Sequence, residues 1–128
     1  MELKYYKHPY KVEKPWGYEL WWGNTNKYLG KLLHITAGHC SSIHYHQYKD
    51  ESMYVHEGIA KIEIYELQGD TATPVRKEYY TLGPGESIDI PAGAIHCIMA
   101  LSDLDLFESS TPYPEDSVRV LDPYSEER

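Results

Sequence analysis

The stretch "GHCSSIHYHQYKDESMYVHEG", residues 38–58, sets four histidines and three acidic side chains within twenty-one positions. In an extended strand alternate residues project to one face, so His44 and His46 stand side by side, roughly 6.6 Å apart along the chain. A metal that bonds imidazole nitrogen at about 2.0–2.1 Å can sit between two such rings. A histidine-rich loop without a ligand would need neither the spacing nor the flanking glycines.

Outward from this stretch the chain reads as short strands punctuated by turns, and no long segment keeps a 3.6-residue period. "KLLHIT" at 31–36 precedes it. After Gly58, "AKIEIYEL" alternates Ile62 and Ile64 with polar neighbours, and "QGDTATP" reads as a hairpin loop. "VRKEYYTL" runs into "GPGE", where Pro84 and Gly85 suit the central pair of a type II turn. "SIDIP", "IHCIMA" and "LDLFES" complete about eight strands, as in a β-sandwich or jelly roll. The tail after Ser109, with Pro112, Pro114 and Pro123, reads as irregular.

Composition agrees with an all-β chain. Thirteen tyrosines and three tryptophans stand against one phenylalanine, suiting strands with amphipathic rings at their rims. At 128 residues one domain is expected. We divide it into an aromatic N-terminal segment (1–30), a barrel core (31–109) and an acidic C-terminal tail (110–128). No apolar run approaches the roughly 18 residues of a membrane span, and the start lacks the apolar core of a signal peptide, so a cytoplasmic protein is expected. The formal net charge is -8, and residues 101–128 hold eight acids against Arg119 and Arg128. Such a surface repels phosphate backbones, which argues against nucleic acid as a partner. Cys40 and Cys97 are too few for a disulfide framework and are expected reduced.

A second constellation completes the first. "GESIDIPAGAIHCIMA", residues 85–100, sets His96 three residues after Gly93 and five after Pro91. Gly38, His44-x-His46, Glu51 and Gly58, followed by Gly85, Pro91-x-Gly93 and His96, resemble the two-part signature of the cupins, with Ala100 where an asparagine is common. The resemblance implies a double-stranded β-helix (jelly-roll) barrel that binds one divalent metal through His44, His46, Glu51 and His96. The residues support this on their own chemistry. An inward Glu51 shares its face with Met53 and Val55, and a carboxylate in an apolar interior is costly unless paired with a cation. His44, His46 and Glu51 are expected on adjacent strands, with His96 brought opposite by the closing barrel. Zinc, manganese and iron(II) all suit such donors. His8, His34, His39 and His56 are expected at the surface or rim, and Cys97 as a packed thiol on the face opposite His96.

The N-terminal "VEKPWGYELWW" and "KLLHITAG" extend the likeness to cupins related to type II mannose-6-phosphate isomerase and the C-terminal half of mannose-1-phosphate guanylyltransferase. That resemblance implies a carbohydrate-like ligand and an aldose–ketose isomerase. Lys31 is the candidate catalytic residue, contacting a phosphate or the substrate oxygens. The pattern departs from those enzymes at Gln47, where they carry arginine, and in the longer "QYKD" before the glutamate. Tyr54 and His56 could act as base only if their face meets a cleft. Trp16, Trp21 and Trp22 are expected to pack at the rim rather than stack on a sugar. A binding cupin without turnover and an iron(II) oxygenase are the alternative functions. The N-terminal segment holds more large rings than one small barrel can bury, which predicts a homodimer in which it packs on, or adds a strand to, the partner.

Overall fold

Alternation decides the architecture. In the computed structural model, which describes residues 2–69 and 72–123, the strand Glu51–Glu57 buries Glu51, Met53 and Val55 and exposes the residues between them. The strand Leu104–Ser110 does the same with Leu104, Leu106, Glu108 and Ser110. The two strands pair side by side, so the apolar face they share must be covered by a second sheet, and the result is two antiparallel sheets closed around one core.

Among the described residues eleven strands form them: β1 Tyr10–Lys14, β2 Gly17–Asn24, β3 Leu29–Ile35, β4 Ile43–His46, β5 Glu51–Glu57, β6 Ala60–Leu67, β7 Pro74–Leu82, β8 Ser87–Ile90, β9 Ile95–Ala100, β10 Leu104–Ser110 and β11 Ser117–Leu121. One sheet has the order β1-β2-β3-β10-β5-β8 and the other β11-β4-β9-β6-β7. No helix forms among the described residues, so none is long and apolar enough to cross a membrane. This is the expected all-β jelly roll, with more strands than the eight read from the sequence. The extra ones come from both flanks of the 31–109 core. β1 and β2 extend the six-stranded sheet within their own chain, and β11 pairs with β4 inside the tail expected to be irregular.

Register divides the interior into an apolar and a polar end. Ile35 faces Leu104 and Leu33 faces Leu106, and one step further Lys31 faces Glu108. On the other side of β10, Leu106 faces Val55 and Ser110 faces Glu51. Across the barrel Ala60 pairs with Ala100 and Ile62 with Ile98, and then Ile64 pairs with His96. The core cluster fills the apolar end with Ile35, Val55, Ile62, Leu104 and Leu106, each at 1% exposure or less. Each such side chain contributes about 1.5–3 kcal/mol by leaving water. The polar end is where the candidate ligands gather.

Two glycines of the motif show why the turns need that residue. Gly58, between β5 and β6, has φ 90°, and a Cβ there would run into the Asp103 carbonyl. Gly85 has φ 88°, as the third position of a type II turn requires.

Candidate metal centre

The three histidines reach one point from two strands of the same sheet. His44 and His46 project inward from β4, and His96 from β9 directly beside it, where His44 and His96 are register partners. One ring nitrogen from each lies within 4.8 Å of the others. Glu51 comes from the opposite sheet, its Oε1 3.0 Å from His96 Nε2 and its Oε2 3.6 Å from His46 Nε2. The expected arrangement is therefore corrected. β4 and β5 are consecutive in the chain but not adjacent in a sheet, because the connection between them crosses from one sheet to the other. Glu51, not His96, is the group brought across the barrel.

Hydrogen bonds orient two of the rings. His44 Nδ1 donates to the Ser42 carbonyl and His96 Nδ1 to the Ala94 carbonyl, both at 2.8 Å. A carbonyl only accepts, so the proton sits on Nδ1 and, in the neutral ring, the lone pair sits on Nε2. His96 Nε2 then points its lone pair at a carboxylate oxygen. Among the described residues neither that nitrogen nor either Glu51 oxygen, all buried, has a hydrogen-bond partner. Buried acceptors turned toward one another are costly unless a cation lies among them, and imidazole and carboxylate donors fit a divalent ion. Burial lowers His44 to about 3, helped by the neighbouring His96. Burial also lowers His46 to about 4 against the pull of the Glu51 charge. Neutral imidazole is the form that binds metal.

A second set of charges lies beside the first, and the sequence does not announce it. Lys49 is 3% exposed, its ammonium 3.4 Å from Glu51 and 3.2 Å from Glu108. Burial works against the Glu51 charge, yet the Lys49 ammonium beside it helps hold its pKa below the usual carboxylate range. Glu108 goes the other way, because burial and the Glu51 charge outweigh its two lysine neighbours. In sequence, Lys49 stands in the polar run "QYKD", which reads as a solvated turn. The structure pins that turn: the Asp116 carboxylate accepts from the backbone N–H of Tyr48 and Lys49, and Asp50 accepts from that of Ala92. The longer loop thus delivers a lysine to the interior.

His44, His46 and both carboxylates line a cavity of about 760 Å³ that also takes in Trp16, Trp21 and Lys31. Lys31 is buried there at 6% exposure, its ammonium 4.3 Å from the centre of the Trp21 ring and 3.6 Å from Glu19. Trp21 in turn donates to Glu19 at 2.9 Å. Trp16 belongs to the core, whereas Trp22 packs outside against Phe107.

The other histidines lie elsewhere. His34 contacts Asp105 at 2.7 Å and stacks on Tyr18, His56 meets Phe107 on the outer face, His8 is exposed and His39 is half-buried. Tyr54 and His56 do not line the cavity, which removes both as candidate bases. Cys97 is buried on the opposite face from His96, with Sγ 3.7 Å from Glu63 Oε1, and burial together with the Glu63 charge pushes its thiol up to about 12. Neither cysteine is in a disulfide.

No protein-family model matches the sequence, and no curated protein does. Solved structures do. An RmlC-like cupin from Shewanella frigidimarina superposes with TM-score 0.68 at 17% identity, over 91% of this chain and 95% of that one. The chain has the cupin fold. KdgF from a Halomonas species aligns to the same barrel with TM-score 0.69 and 21% identity, covering 86% of this chain and 93% of the other. Oxalate decarboxylase from Bacillus subtilis gives TM-score 0.71 at 16% identity, and there the cupin domain described here spans 30% of the longer chain. The likeness at these identities is one of fold.

Proposed function

We propose that His44, His46, Glu51 and His96 hold one divalent metal ion (zinc, manganese or iron(II)) and that the chain is a metal-dependent cupin acting on a sugar or sugar phosphate as an aldose–ketose isomerase. The observation that carries the metal is the convergence of three imidazole nitrogens within 4.8 Å, beside Glu51 oxygens that no hydrogen bond satisfies among the described residues. What supports a carbohydrate-like ligand is the polar cavity of about 760 Å³ onto which they open.

Isomerisation needs a proton removed next to a carbonyl and charge stabilised on the sugar oxygens. A bound divalent ion would supply Lewis acidity toward those oxygens. Lys31 is positioned to donate to a phosphate or to the oxygens themselves. Among the described residues its only ion pair is the long one to Glu19, so its ammonium keeps donors for a ligand. Trp21 and Glu19 hold that ammonium in place. A binding cupin without turnover is the second reading, and one observation favours it. Every carboxylate lining the cavity has a cationic partner: Glu19 with Lys31, Glu51 and Glu108 with Lys49, and Asp122 with Arg119.

Elemental analysis comes first. One divalent metal per chain is expected, reduced at least about tenfold in His46→Ala and His96→Ala and unchanged in His56→Ala. Incubation in heavy water with hexose 6-phosphates, then free pentoses and hexoses, should place deuterium next to the carbonyl, and Glu51→Gln should abolish it. Full metal content in His46→Ala removes the site. Metal without exchange, whether zinc, manganese or iron is loaded, leaves the binding reading, and oxygen uptake by the iron form favours the oxygenase.

We also read the chain as a homodimer. Its N-terminal residues Leu3, Tyr5 and Tyr6 are 91%, 87% and 58% exposed, more apolar surface than a free arm of this length usually presents.

A further inference from the structure

A second cleft lies away from the metal centre, where the two sheets end. β7 is the last strand of one sheet and β8 the last of the other, and among the described residues no strand bridges them. Between them is an open cleft of about 580 Å³. Its floor is apolar, with Ile64, Leu82 and Ile88 among its residues, and its rim carries Glu78, Glu86 and Asp89 with no lysine or arginine. An apolar floor under an acidic rim suits an extended segment that alternates large apolar and basic side chains.

This chain contains such a segment. Residues 2–9, "ELKYYKHP", precede β1 without joining either sheet, and they set Leu3, Tyr5 and Tyr6 among Lys4 and Lys7. Neither lysine makes an ion pair within the described chain. The arm cannot serve its own cleft. It leaves the barrel at β1, the edge of the six-stranded sheet opposite β8, five strand spacings away. At about 4.8 Å each these amount to roughly 24 Å. If Leu3 to Lys7 fill the cleft, only the three Cα–Cα steps from Lys7 to Tyr10 can cross, and they reach about 11 Å. A second molecule removes the conflict.

We propose that the cleft between β7 and β8 is the docking site for the N-terminal arm of a second copy of this chain, so that a two-fold dimer exchanges two arms. This rests on the homodimer reading above and names its surface. Leu3 and Tyr5, which share one face of the extended arm, cover the apolar floor, and Lys4 and Lys7 meet Glu78 and Glu86. A two-fold axis makes both contacts identical and closes the assembly at two.

Sedimentation of the full-length protein over a concentration series tests this, with far-UV circular dichroism to confirm folding and metal content as an independent reference. The parent is expected to dimerise. Glu78→Lys with Glu86→Lys should weaken the dimer at least about tenfold, and so should Lys4→Glu with Lys7→Glu. The four substitutions combined should bring the dissociation constant back to within about threefold of the parent. Metal content should not change in any of them. A parent that stays monomeric at high micromolar concentration overturns both the dimer and this site. A dimer indifferent to the reversals, or one weakened by both but not restored by the combination, retains the homodimer and overturns the cleft as its docking site.

Discussion

Glu63 lies on the outer face of the five-stranded sheet, where the Arg76 guanidinium donates to it at 2.8 Å and the Tyr65 hydroxyl at 3.0 Å. Burial opposes its charge, but these partners and Lys61 win and hold its pKa below the ordinary 4.5. A carboxyl whose folded pKa is depressed stabilises the fold above its unfolded pKa, and that contribution is lost as pH falls through the folded value. Glu63→Gln should therefore lower Tm at pH 7, and the deficit should shrink steadily below pH 4.5. Calorimetry of both proteins across that range checks this, and a deficit independent of pH would count against the ion pair. At this scale the four candidate ligands were legible, because spacing and flanking glycines are local properties. Lys49 and Glu108 were not. Each sits in an unremarkable polar context, and what makes them matter is burial against residues 59 positions apart in the chain.

β4 shows how a short element is held. It shares one register pair with β9 and four with β11, so the strand bearing His44 and His46 is kept in place largely by the C-terminal segment. A chain ending at Asp116 keeps the carboxylate that pins Tyr48 and Lys49 but loses β11. We expect it to retain a strand-rich circular dichroism spectrum while metal occupancy drops at least about tenfold, since the ligands lose their orientation. Full occupancy in the shortened chain would assign β4 its own stability. β5, β6 and β9 were readable in advance from alternation and turn residues. β11 was not, because its five residues lie between Pro114 and Pro123, and a strand that short is stabilised by its neighbour rather than by its own pattern.

For the whole molecule, a site assembled from both sheets links metal binding to folding. His44, His46 and His96 come from one sheet and Glu51 from the other, so the donors are together only when the barrel is closed. A ligand that binds only the folded state stabilises it, by about 2.7 kcal/mol at a free concentration one hundred times its dissociation constant. Adding zinc or manganese to chelator-treated protein should thus raise Tm by several degrees, and His96→Ala should abolish the rise. An equal rise in that variant would place the ion elsewhere. The sequence by itself determined the all-β class, the turn glycines and the set of candidate ligands, because alternation, backbone handedness and motif spacing act over a few residues. Only the tertiary structure decided that Glu51 faces the histidines from the opposite sheet, that Lys49 and Glu108 lie beside them, and that the N-terminal arm emerges far from the β7–β8 cleft. Those relations depend on sheet order and closure, which bring together residues whose separation along the chain says nothing of their distance in space.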